Sequence, residues 1–471
     1  MNSLQEIQEK KGLNVSVRSF ITATAVLLVL MTLAYGLTFV VPGGEYPRIA
    51  DENGNLQIDT TGEFMNVAGG IPFWKWLLSP VLVLGSNGGG TLIAVIVFLL
   101  VVGGIFNALE KGGLMKYMLC RIVTRFGGAK YKLQAVIVLF FMSMGAFLGS
   151  FEECVPMVPL VVALAIGLGW DALTGLGMSI LATGCGFASG VCNPFTVGLA
   201  QEVAGVPMFS GIWLRLMGFV LIYGLLLAFL QRYCRRIEKT SALDAVGSGE
   251  IDVAMNRGLR WFVGIFGLGI ALVLCSVFIP ALQSMTMVIV AVTFLAAGIA
   301  AVRAAGMSWK ELGGLFVSGL LSIFPAVAMI LMAASIKYTM EEAHILDTIL
   351  HSALGLADGM PRWMVILFVY LLVLVMNFFI SSGSAKVFLL MPLIVPLAEA
   401  FGISAQLCVL AFAFGDGFSN AFYPTNPVLL ISLGLGDVSY GKWAKWTWKF
   451  QAVNLLLTSG VLLLGLAVGY Q

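Results

Sequence analysis

Apolar runs of membrane-crossing length alternate with short polar loops along almost the whole chain. Residues 20–41, 91–109, 171–191, 212–230, 261–280, 286–302, 315–336, 405–433 and 454–470 read as full spans, because about 20 apolar helical residues cross the hydrocarbon. Two pairs of shorter runs, 133–149 with 155–168 and 363–380 with 387–400, read as re-entrant hairpins. Their tips are Ser150-Phe151-Glu152-Glu153-Cys154 and Ser381-Ser382-Gly383-Ser384-Ala385-Lys386. Full membrane depth would cost each acid about 2.5–3.5 kcal/mol on insertion scales, so a half-crossing is the cheaper reading. Stretches 114–126 and 341–359 are amphipathic and read as helices lying in the inner and outer interface. The pattern predicts an all-α polytopic membrane protein.

Two of the spans are interrupted. Residues 184–195, GCGFASGVCNPF, and 414–427, FGDGFSNAFYPTNP, place Gly, Asn and Pro where a helix should continue. An unpaired backbone group in hydrocarbon costs several kcal/mol, so such a break must lie against protein or a polar cavity. Paired breaks in matching positions of two halves are the sequence mark of a secondary transporter's binding site. A shift of 233 positions, set by Asn193-Pro194 on Asn426-Pro427, also places Pro159 on Pro392, Gly169 on Gly402, Gly184 on Gly417 and Trp213 on Trp446. The hairpin tips correspond under the same shift.

Charge orients the chain. Lys10, Lys11 and Arg18 precede the first span, and Arg232, Arg235, Arg236 and Lys239 follow the fourth. By the positive-inside rule these segments are cytoplasmic. The loop 42–72, with Glu45, Asp51, Glu52, Asp59 and Glu63, falls outside. The first hairpin then opens inward and the second outward, so the repeat reads as inverted, with the N-terminus cytoplasmic and the C-terminus outside. The first apolar run is too long for a signal-peptide h-region, and a multi-pass cell (inner) membrane protein is expected.

Composition agrees: 59% of residues are hydrophobic and 11% charged. The net charge of +2, spread over short loops, gives no nucleic-acid footprint. Two histidines exclude a His-based metal centre, and no P-loop, HExxH or G-x-S-x-G pattern occurs, so neither an enzyme nor an ATP-driven pump is expected. The seven cysteines read as reduced packing residues. His344 and His351 read as surface residues, and Trp443, Trp446 and Trp448 as interfacial anchors.

Asn193-Pro194 and Asn426-Pro427 look like an N-cap followed by Pro in the first helical position. With the second arms of the hairpins, four helix N-termini would converge and offer free N–H groups to a carboxylate. The candidate substrate-binding residues are Ser150, Glu152, Glu153, Asn193, Ser381, Ser382, Gly383, Ser384, Lys386, Asp416, Asn420, Thr425 and Asn426. Gly184, Gly186, Ser189, Asp416 and Ser419 are candidates for a coupling cation, since helix ends before a break leave carbonyls free. Ser150-x-x-Glu153 has capping-box spacing, so Glu153 either caps its helix or meets the ligand, or does both. Glu152 has no capping role and is expected to face a positive group. Lys386 either pairs with an acid or binds a substrate carboxylate. No cofactor is expected, with Na+ or H+ as the candidate coupling ion.

FEECVPMVPL, CNPFTVGLAQ, SSGSAKVFLLMPLIVPLAEAFG and FAFGDGFSNAFYPTNPVLL resemble the YfcC-like family, which groups with the C4-dicarboxylate anaerobic carriers and arginine/ornithine antiporters. The resemblance covers nearly the whole chain. It implies the ion-transporter superfamily fold, in which a dimeric scaffold holds a transport domain that slides like an elevator. The implied scaffold is 1–126 with 257–340. The implied transport domain is 127–237 with the inner hairpin and 341–471 with the outer arm and outer hairpin, joined by the cytoplasmic linker 238–256. A homodimer in contact with membrane lipid is implied as well. Dicarboxylate members of the superfamily carry Ser-Asn-Thr at their tips, whereas the first tip here is Ser-Phe-Glu-Glu. A dicarboxylate would meet like charge at Glu152, Glu153 and Asp416. The expected function is therefore secondary transport of a small carboxylate-bearing solute, an arginine- or ornithine-like amino acid, by exchange or ion coupling. The alternatives are a C4-dicarboxylate carrier coupled to Na+ or H+ and, from another class, a channel or receptor-like protein.

Overall fold

A chain in hydrocarbon must close its backbone hydrogen bonds within each segment, and a helix does so. The computed structural model describes residues 17–50, 56–59, 62–86, 89–118, 121, 127–149, 151–238, 252–276, 286–357 and 359–471. Among them eight helices are long and apolar enough to cross a membrane. Ser150, most of the linker 238–256 and much of 114–126 lie outside the described residues.

One group of helices packs together: α1 (Val17–Leu37), α2 (Gly89–Lys111), α9 (Val253–Ser276), α10 (Thr286–Ala304) and α11 (Trp309–Glu342). A second group starts with α3 (Lys130–Ser143), which continues as a π-turn over Met144–Leu148. After the first tip, a 3-10 segment Glu152–Met157 leads into α4 (Val158–Gly167). The first broken helix comprises α5 (Ala172–Leu176), α6 (Ala182–Ser189), the segment after Asn193 and α7 (Leu199–Val203), and α8 (Ile212–Ile237) follows it. Beyond α11 come the short α12 (Leu346–Leu354), then α13 (Arg362–Phe379) and α14 (Gly383–Ala400), the arms of the second hairpin. The second broken helix is α15 (Ala405–Gly417) and α16 (Pro427–Leu435), and α17 (Tyr440–Ala467) is last.

Leu28, Val29 and Leu33 on α1, Leu268 on α9 and Val288 and Val292 on α10 are exposed, an apolar coat that suits lipid. The broken helices are the opposite: every residue from Leu173 to Val191 and from Ala405 to Ala421 is buried. A mainly apolar helix buried all round belongs in the centre of a bundle.

Several boundaries differ from the sequence reading. Lys130–Leu148 is 19 residues long, enough to cross by length, because the basic start Lys130-Tyr131-Lys132 is helical too. Glu341 and Glu342 end α11, so the amphipathic element shrinks to α12. The loop 42–72 folds into two antiparallel ribbons, β1 (Gly44–Glu45) with β4 (Met65–Asn66) and β2 (Arg48–Ala50) with β3 (Leu56–Ile58). Arg48 Nη2 donates to both Asp347 oxygens at 2.9 and 2.8 Å, tying the ribbon to α12, while β3 rests on α14. His344 pairs with Glu45, and His351 shares a 2.7 Å hydrogen bond with Tyr46 Oη.

Candidate functional site

The two breaks are built alike. Asn193 caps the segment after the first break, its Oδ1 accepting from Phe195 N at 2.9 Å. Asn426 caps α16, its Oδ1 accepting from Val428 N at 2.9 Å and Leu429 N at 3.4 Å. Pro194 and Pro427 follow in the first turn, where their missing N–H leaves no bond unmade. Gly190, in the left-handed region at φ 50°, ends α6.

The broken helices cross in direct backbone contact. A methyl group on Gly417 would lie 2.0 Å from Ala188 Cα, and one on Gly184 would lie 2.9 Å from Ala421 Cβ. These contacts are reciprocal, because the shift of 233 positions carries Gly184 onto Gly417 and Ala188 onto Ala421. The second arms cross-pack in the same way: α14 lies on the segment after the first break, and α4 lies on α16. Gly186 approaches Met142 O so closely that a Cβ would sit 1.9 Å away, and the Ser189 hydroxyl donates to Gly186 O at 2.6 Å. Gly186 thus permits a close backbone approach, and the Ser189 hydroxyl is engaged within its own turn.

Both tips meet the breaks. Gly149, at φ 67°, abuts Asn193, whose Oδ1 a Cβ there would meet at 2.4 Å. Gly383 lies between Thr196 and Asp416, and a Cβ on it would be 2.8 Å from Thr196 Cγ2 and 2.9 Å from Asp416 Oδ2. Ser382 caps α14, accepting from Ala385 N at 3.5 Å, and its hydroxyl lies 3.5 Å from that of Ser384. Ser381 is half-buried beside it.

One polar network fills the second break. Lys386 and Asp416, both fully buried, form an ion pair, and Lys386 Nζ also donates to Asn377 Oδ1. Asn377 Nδ2 is shared among Asp416 O (3.0 Å), Ser419 Oγ (2.6 Å) and Asn420 Oδ1 (3.0 Å). Asn426 Nδ2 closes the chain onto Asn420 Oδ1 at 3.1 Å. From α17, Trp443 Nε1 donates to Ala421 O at 2.9 Å and Tyr440 Oη to Phe422 O at 3.1 Å. The freed carbonyls are thus met by side chains, as a break inside a membrane protein requires. Trp443 is fully buried, which corrects the expectation of an interfacial anchor; Trp448, half-exposed, stays at the surface. Asn377 escaped the sequence reading. Its signal was a lone Asn near the end of an apolar helix.

Both breaks keep polar atoms unmatched. Asn193 Nδ2, Thr196 Oγ1, Thr425 Oγ1 and Asp416 Oδ2 are buried without a hydrogen-bond partner among the described residues. The two acids of the first tip part company. Glu152 is half-buried and within electrostatic reach of Asp416. Glu153 lines a small cavity with Met144, Met157, Phe266, Gly269, Val290 and Thr293, facing α9 and α10. No cluster of His, Cys, Asp and Glu able to hold a metal occurs among the described residues. Cys154, Cys185, Cys192, Cys234 and Cys408 are not joined in disulfides among the described residues.

A helical membrane protein with two interrupted helices crossing beside two hairpin tips has the make-up of a secondary transporter. Residues 20–467 match the C4-dicarboxylate anaerobic carrier family, DcuC, and the chain belongs to that family of transporters. It is 29% identical, over 81% of its length and 79% of the relative, to YfcC of Escherichia coli K12, for which basic amino acid antiport has been proposed. An uncharacterized protein of Haemophilus influenzae is 24% identical over 94% of this chain and 96% of that one. Among solved structures, the YdaH transporter of Alcanivorax borkumensis aligns over 95% of this chain and 99% of its own at TM-score 0.48 and 18% identity.

Proposed function

We propose that this transporter carries an amino acid with a basic side chain and works by exchange. The observation that carries the reading is the division of charge around the breaks. Asp416 is neutralised by Lys386, so Glu152 is the acid left to meet a cationic side chain. Asn193 Nδ2 and Thr196 Oγ1, buried beside the first break without partners among the described residues, supply donors for a carboxylate. The proposed role of YfcC supports the same substrate class. A dicarboxylate is the second reading, favoured by the family description and by a buried lysine at the second tip.

Counterflow in proteoliposomes with labelled arginine, ornithine, succinate and fumarate separates the two. Exchange of the amino acids is expected, and uptake of succinate alone overturns the proposal. Glu152→Gln should lower arginine transport at least tenfold in folded protein, about the loss of one charge-assisted contact. Unchanged kinetics would remove Glu152 from the site.

The moving part is the second helix group, with the hairpins and breaks, and the first group is the scaffold of a homodimer. The helices of each group pack mainly with one another, which supports this division, and the reciprocal contacts support an inverted repeat. Met157 and Val290 face one another's groups across the Glu153 cavity. A disulfide between Met157→Cys and Val290→Cys should arrest an elevator; transport with that crosslink intact counts against sliding. Side-specific labelling tests the assigned orientation, N-terminus inside and C-terminus outside, and crosslinking in membranes tests the dimer.

A further inference from the structure

We infer that the ammonium of Lys386 is a built-in coupling cation, holding the place at the second break that a free Na+ would otherwise occupy. The inference deepens the proposed exchange and rests on the breaks being the substrate site. The place has what an alkali cation needs: the carboxylate of Asp416, the amide oxygen Asn377 Oδ1 and the C-terminal end of α15, where the helix dipole is negative. Both oxygens already face Nζ. The surrounding ligands are committed as well, since Asn377 Nδ2 holds Asp416 O, Ser419 Oγ and Asn420 Oδ1.

The lysine reaches this place from α14, while Asp416 belongs to α15, so the pair bridges the second tip and the second break. A free coupling ion enters from solvent and closes a hairpin by binding between its parts. Here the positive charge is tethered to the hairpin and travels with it, so closure needs no ion from solution. Na+ beside Nζ would face like charge. At about 4 Å and an effective dielectric near 20, that repulsion weakens its binding roughly a thousandfold.

The test compares NaCl with choline chloride on purified full-length protein, following Tm and, in proteoliposomes, counterflow. The wild type is expected to give the same Tm and the same rate in both salts. Lys386→Met, which frees Asp416 and Asn377 Oδ1, should gain a Na+-dependent rise in Tm, and adding Asp416→Asn should abolish that rise. A wild type whose Tm or transport depends on Na+ overturns the inference, as does a folded Lys386→Met with no Na+ response. If Lys386→Met fails to fold, the wild-type comparison alone decides. The Tm readout uses no substrate, so an error in the proposed substrate class leaves this result readable.

Discussion

Replacing Asn377 by leucine removes the hub of the second break without opening a cavity, because the side chains are nearly isosteric. Asn377 is 1% exposed and touches Lys386, Asp416, Ser419 and Asn420. Its two N–H groups are divided among three acceptors, and its Oδ1 accepts one hydrogen bond from Lys386. Three bonds' worth of donors and acceptors therefore disappears. Polar contacts between membrane helices average about 0.6 kcal/mol, and buried ones in water-soluble proteins about 1 kcal/mol. The sum is roughly 2–3 kcal/mol, with the orphaned Asp416 carbonyl at the upper end. Asn377→Leu should lower unfolding stability in mild detergent by that amount and abolish counterflow, since break and tip lose their shared partner. Asn377→Asp separates shape from hydrogen bonding: it keeps an acceptor for Lys386 but turns the donors toward oxygens into another oxygen, and should be at least as damaging. If Asn377→Leu matches the wild type in stability within about 0.5 kcal/mol and still transports, the network does not order the break.

Two further outcomes test other parts of the reasoning. Gly417→Ala forces a methyl group to 2.0 Å from Ala188 Cα, and because the obstacle is backbone the broken helices must separate; a loss of about 1–3 kcal/mol and of transport is expected. A functional, undestabilised Gly417→Ala would mean the crossing is looser than described. At the membrane surface, hydrogen bonds from Lys130 and Tyr131 hold the Glu238 carboxyl below its usual 4.5. Stability from a depressed acid is present above its unfolded pKa and lost as pH falls through the folded value, so this contribution fades below about pH 4.5. The site is a third exposed, so Glu238→Gln should cost under about 1 kcal/mol at neutral pH and flatten the acid limb of a pH–Tm curve.

The pattern of the chain determined the class of fold, because apolar length and the positions of Gly, Asn and Pro act locally. Asn193 and Asn426 cap their helices as their Pro neighbours indicate, and Gly169 and Gly402 both take positive φ at matching turns. Only the tertiary structure decided which groups are partners. Lys386 and Asp416 lie on different helices, so their ion pair depends on how α14 meets α15. In sequence only the capping-box spacing separates Glu153 from Glu152, and it is the turn of a 3-10 segment that sends Glu153 toward α9 and α10. Trp443 reads as a surface anchor until α17 is seen packing on the second break, where its N–H meets the carbonyl of Ala421. A helix end declares itself through nearby residues, whereas the partner of a buried charge is chosen by whatever the rest of the fold brings within reach.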